Sequence, residues 1–165
     1  MSGVAIGKRL NHGYIGQPSR TDDTIIESRT ADGSITFGAP VKITSENKVK
    51  AIGTGDATTD FFGFAMREVM QSSDYSTGAS AYQDKDPVDI MVRGTMLVKV
   101  NNGTPTPHGK VYIRVANGTS DKPVGGIEAV ADSTPENTIE LTGVVFNTGK
   151  LDANKVAEVL VQYRH

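Results

Sequence analysis

Cysteine and tryptophan are absent from this chain of 165 residues, and histidine occurs three times. Without cysteine there is no disulfide and no thiolate metal site, so stability must come from a packed core or from partner subunits. His12, His108 and His165 are far apart in sequence and show no ligand spacing, so they read as exposed turn and terminal residues. No apolar run approaches the about 18–20 residues a membrane helix needs. The opening MSGVAIGKRLNHGY has no hydrophobic core for a signal peptide, and cytoplasmic synthesis is expected. A net charge of −2 points neither to nucleic acid nor to an anionic membrane surface.

Catalytic signatures are missing as well. GTGD at 53–56 lacks the third glycine of a dinucleotide fingerprint, Thr58 standing in its place, and no Gly-Lys-Ser/Thr occurs; a tight turn is the better reading. Asp84, Asp86 and Asp89 in DKDPVD offer oxygen ligands but not the glycine and final glutamate of a calcium loop, so they read as a solvated strand entrance. The charged pair Asp22 and Asp23 reads as a turn. No Gly-x-Ser-x-Gly is present, and no base is placed beside a nucleophile. We expect no enzyme, cofactor or metal.

What is present is turn chemistry and alternation. Eighteen glycines and seven prolines punctuate short apolar runs. The runs are TIIESRTA, APVKIT, KVKAIG, FFGFAMREVM, PVDIMVRGTMLVKV, KVYIRVA, GGIEAVA, TIELTGVVFNT and KVAEVLVQYRH. Val111, Ile113 and Val115 alternate with Tyr112 and Arg114, giving one apolar face. Nine or so such strands predict an all-β protein, a compact antiparallel barrel or sandwich over residues 24–165.

The two halves resemble each other. GAPVKIT, KVKAIGTGDATTDFFGFAMRE and DPVDIMVRG are followed by GKVYIRV, PVGGIEAVADSTPENTIELTGVVFNTG and NKVAEVLVQ. Each half has an Asp-x-Thr triplet (Asp56 to Thr58, Asp132 to Thr134) and a later Gly-hydrophobic pair (Gly63-Phe64, Gly143-Val144). This predicts two similar four-strand halves, neither able to bury its face alone. The Ser/Asp/Gly-rich stretch from Met70 to Asp86 then becomes a connection within the first half.

Residues 1–23 differ in kind and are expected to form an extended arm. Their first twenty residues hold Lys8, Arg9, His12 and Arg20 but no acid. Val4, Ile6, Leu10, Tyr14 and Ile15 supply apolar anchors without a helical or strand period. Such a segment can order on a partner by adding to a sheet edge. The candidate binding residues are Val4, Ile6, Lys8, Arg9, Leu10, Tyr14 and Ile15.

With its glycine-rich arm and the stretches GAPVKITSENKVKAIGTGDATTDFFGFAMREV, DPVDIMVRGTMLVKVNN, HGKVYIRV and TGVVFNTGKLDANKVAEVLVQYRH, the chain resembles the head decoration, or structural cement, proteins of tailed bacteriophages. The resemblance covers roughly Gly38 to His165. It implies a virion protein on the capsid exterior, made in the host cytoplasm, with the major capsid protein of a tailed phage as partner. It implies a homo-oligomer, a trimer first and a monomer second, with no nucleic-acid or membrane partner. A receptor- or carbohydrate-binding module is the main alternative and would expose Tyr75 and Tyr82 over a groove; a ring-forming tail-tube protein is another.

Overall fold

The computed structural model describes residues 12–67 and 81–162, which form eleven strands and two short 3-10 turns. The strands are β1 (Pro18–Thr30), β2 (Ile35–Thr36), β3 (Pro40–Ile43), β4 (Val49–Ala51), β5 (Gly63–Ala65), β6 (Ala81–Tyr82), β7 (Pro87–Asn102), β8 (Lys110–Arg114), β9 (Ile127–Glu128), β10 (Thr138–Phe146) and β11 (Val156–Val161). The all-β expectation holds. FFGFAMREVM contributes only Gly63–Ala65 as strand, after a 3-10 turn at Thr58–Asp60. The first strand begins earlier than its apolar residues suggest, at Pro18 rather than Thr24.

The sequence repeat becomes a repeat of strand order. In the main sheet β4-β3-β5-β7 lie side by side, and so do β9-β8-β10-β11, all neighbours antiparallel. A 3-10 turn precedes the third strand of each unit, at Thr58–Asp60 and at Pro135–Asn137. Each Asp-x-Thr aspartate pairs with a cation on the first strand of its own unit. Lys42 meets Asp56 at 2.6 Å, and Arg114 meets Asp132 at 2.6 Å.

Strand β7 joins the units because it is long enough to serve both. Its C-terminal half pairs antiparallel with β11, from Val156 opposite Lys99 to Val161 opposite Gly94, and parallel with β9 at Val100 and Ile127. That closes a five-stranded barrel, β7-β11-β10-β8-β9. Its N-terminal half pairs with β5 on one edge and with β1 on the other, from Ile26 opposite Met91 to Thr30 opposite Pro87. A single parallel bridge from Ala31 to Val49 links the end of β1 to β4 and completes a second ring. β1 therefore does in the first unit what the second half of β7 does in the second.

Each ring has its own core. Val41, Val49, Ala65, Val88, Ile90 and Val92 fill the first, together with Ile35 and Tyr82 of the small β2–β6 sheet and Phe37 just after β2. Met96, Val98, Val100, Ile113, Phe146 and Val159 are among the residues that fill the second. Where β7 passes between them, Gly94 adopts φ +122°, and a Cβ there would come within 2.9 Å of Thr24 Oγ1. Only glycine makes that change of direction without strain.

Candidate capsid-binding surface

The described part of the N-terminal segment is clasped to the body before β1 begins. Gly16 N–H donates to Leu97 O (2.7 Å), Leu97 N–H donates to Gln17 O (3.0 Å), and Arg67 N–H donates to Gly16 O (2.7 Å). Two glycines make this approach possible. Gly16 (φ +82°) and Gly38 (φ +73°) face each other so closely that a Cβ on Gly16 would lie 2.9 Å from Gly38 N, and one on Gly38 would lie 2.7 Å from Ile15 Cγ2.

Two carboxylates of the second barrel hold the same segment. Asp152 accepts the backbone N–H of His12 at 3.0 Å, besides those of Asn154 and Val156. Burial alone would raise its carboxyl, but these three donors outweigh it and hold the group below the usual carboxylate range. Glu158 accepts Ser19 Oγ–H (2.6 Å), Arg20 Nε–H (3.0 Å) and Asn147 Nδ2–H (2.7 Å). Its burial also pushes upward, and the three donors again prevail and lower it. His12 is thus fixed beside Asp152 and Val156.

That point borders a cleft of about 660 Å³ between the two units. One wall comes from Thr36 to Pro40, Ala51, Ile52 and Arg67, the other from Lys99, Asn101, Pro123 to Ile127, Asn154 and Val156, with Gly13 to Ile15 along the rim. The Arg67 guanidinium lies over two rings, 4.9 Å from the Tyr14 centroid and 5.3 Å from that of Phe37. Both distances are within cation–π range.

Comparisons with known proteins agree with this architecture. The profile of structural cement proteins (E217 gp24/Pam3 gp6) matches residues 4–162. The chain belongs to that family. A solved structure entitled "The capsid of Myoviridae Phage XM1" contains a chain of the same fold, with a TM-score of 0.75 at 16% identity over 100% of both chains. No curated protein matches.

In this cement protein the sequence candidates separate. Tyr14 and Ile15 lie on the cleft rim, whereas Val4, Ile6, Lys8, Arg9 and Leu10 fall outside the described residues. Tyr82 is buried in the first core and its hydroxyl donates to Met66 O (2.8 Å), so it offers no exposed aromatic platform; Tyr75 and most of the 70–86 connection lie outside the described residues. DKDPVD is turn and strand-entry chemistry: Asp84 accepts Gly33 N–H, Asp86 accepts Gln83 N–H, and Asp89 accepts Ser28 Oγ–H. Asp56 of GTGD accepts Gly53 N–H (2.8 Å) and closes that turn. Among the described residues, no three of His, Asp and Glu are grouped to hold a metal.

Sequence reasoning did not find the cleft, because its walls come from segments scattered from Gly13 to Val156. It also missed a buried polar network in the second unit. Arg114 is 3% exposed and binds Glu128 (2.6 Å), which is fully buried, and Asp132 (2.6 Å). Asn102 Nδ2–H donates to Glu128, and Asn137 Nδ2–H donates to Asp132. The Arg114 guanidinium foremost, then Thr134 N–H and Asn137, hold the Asp132 carboxyl well below its ordinary value. Alternation marked Arg114 as an outward-facing residue. No periodic signal indicates that a later loop folds over it.

Proposed function

We propose that this cement protein binds the outside of the assembled phage head and stabilises it by bridging coat subunits, without catalysis. Membership of the structural cement family carries the reading. A protein that binds only the assembled shell stabilises it by mass action, in proportion to ln(1 + [L]/Kd) per site. Bridging needs a rigid body with two separated contact regions, and an interface of about 1,000 Å² or more. Two barrels sharing a continuous strand supply such a body. The N-terminal segment supplies part of the contact area, with Val4, Ile6, Lys8, Arg9, Leu10, Tyr14 and Ile15 meeting the major capsid protein. A trimer about a local threefold axis gives closed symmetry.

The test is co-sedimentation with mature, undecorated heads. Deletion of residues 1–11 suits it, because a longer cut would remove Ser19 and Arg20 from Glu158 and disturb the fold. Saturable binding by the full chain, weakened by the deletion, is the expected outcome. No binding by the full chain would reject the cement reading for this protein. Undiminished binding by the deletion variant would remove the arm from it. Light scattering of the free protein decides between trimer and monomer.

A further inference from the structure

We propose that the cleft between the two barrels is a docking groove for an acidic, extended segment of a shell subunit. The proposal rests on the cement reading and names the surface and the chemistry through which the body, as opposed to the arm, would hold the shell.

The charge of the cleft carries the argument. The chain as a whole has an excess of acid, with a net charge of −2. Arg20, Arg29, Lys42, Lys48, Lys50, Arg93, Lys110 and Arg114 all have carboxylate partners. Arg67, Lys85, Lys99, Lys122, Lys150 and Lys155 have none among the described residues; of these, Arg67 and Lys99 line the cleft, and no aspartate or glutamate is among its described lining residues. The Arg67 guanidinium also lies over the Tyr14 and Phe37 rings, and its N–H donors have no acceptor among the described residues. A planar guanidinium placed in this way matches a carboxylate in two-point contact and loses little freedom on binding.

The rest of the lining suits chain rather than a simple anion. Asn101 and Asn154 present amides, able to meet the N–H and C=O groups of an extended backbone. Val124, Ile15 and Tyr14 add apolar surface, and Val124 and Tyr14 are exposed, at 37% and 67%. About 660 Å³ exceeds what a lone anion would fill and is within the range of pockets that enclose larger ligands. Lys8 and Arg9 of the protein's own N-terminal segment have the same sign as Arg67 and Lys99, so an acidic occupant complements the cleft better.

The full-length chain would be compared with Arg67→Gln, Lys99→Gln, the double variant, and Lys150→Gln as a control outside the cleft, each checked for an unchanged melting temperature. In head co-sedimentation, each cleft substitution is expected to weaken binding by about tenfold to a hundredfold, as the loss of a charge-assisted contact does. Both should flatten the salt dependence, and Lys150→Gln should do neither. Wild-type binding with undiminished binding by the double variant overturns the groove and leaves the cement reading intact. If the wild type does not bind heads, the cement reading fails and a second measurement decides the groove by itself. An acetylated Asp-Val-Glu-Leu-Asp-Val hexapeptide amide is titrated into 15N-labelled protein, with Lys replacing each acid in the control peptide. Shifts confined to Gly13 to Ile15, Lys99, Asn101 and Val124 to Ile127, absent with the control peptide and in the double variant, support it. No shifts, or shifts elsewhere, overturn it.

Discussion

Replacing Arg114 with methionine removes the cation from a pocket in which its guanidinium is 3% exposed and its partner Glu128 is fully buried. Four hydrogen bonds disappear, to Glu128 at 2.6 and 3.3 Å, to Asp132 at 2.6 Å and to Ala116 O at 3.4 Å. Asp132 keeps Thr134 N–H and Asn137 Nδ2–H, but Glu128 keeps only Asn102 Nδ2–H and faces Asp132 with like charge. Breaking a buried pair by removing one partner costs about 3–5 kcal/mol, more than the pair itself contributes over an apolar replacement. The Arg114→Met variant should therefore lose about 3–5 kcal/mol in urea unfolding at neutral pH. Adding Glu128→Gln removes the orphaned charge while keeping an acceptor for Asn102, so the double variant should be more stable than the single one. The two changes should couple by about 2–3 kcal/mol, as contacting residues do. A loss below about 1 kcal/mol, or a double variant worse than the single one, would refute the assignment of this network as a coupled buried pair.

Two further predictions concern the clasp. Gly38→Val places a branched side chain at φ +73° and against Ile15, so it should cost about 1–3 kcal/mol and speed hydrogen exchange at the Gly16 and Leu97 amides; unchanged exchange would mean that the glycine pair does not hold the segment. Asp152 and Glu158 both have folded-state values below the ordinary carboxylate range, so their stabilisation is complete above about pH 4.5 and is lost as pH falls through the depressed values. Urea midpoints from about pH 6 to 2 should fall accordingly, and Glu158→Gln should flatten part of that slope; an unaltered slope would dissociate Glu158 from the acid transition.

Four strands were legible, β8 and β10 from apolar alternation and β7 and β11, buried along most of their length, as Val-rich runs: they stand where KVYIRVA, TIELTGVVFNT, PVDIMVRGTMLVKV and KVAEVLVQYRH place them. The repeat was legible too, since Asp56 and Asp132 mark the same turn in each unit. The beginning of β1 was not, because PSRTDD has turn composition. The strand accommodates it with register shifts between Arg20 and Ile25, and with Asp23 at φ +63°. Strands β2 and β6 have two residues each, too few to show a period. The parallel pairing of β9 with β7 depends on ring closure, which no local pattern encodes. Of the site, the sequence marked Tyr14 and Ile15 by their place in an unpatterned basic stretch. Arg67 and Lys99 are ordinary surface cations until the fold brings them to one cleft.

The long strand β7 also has a mechanical meaning. Most two-part bodies meet across side chains or a linker, and tension between the parts peels that junction open one contact at a time. Here the junction is a covalent backbone of sixteen residues, running unbroken from one barrel into the other. A load along it is met by ladders to β1 and β5 at one end and to β11 at the other, which must shear together instead of unzipping in turn. Resistance to such a load is set by the unfolding barrier and not by equilibrium stability. A protein that bridges shell subunits under strain would carry the force through its stiffest element.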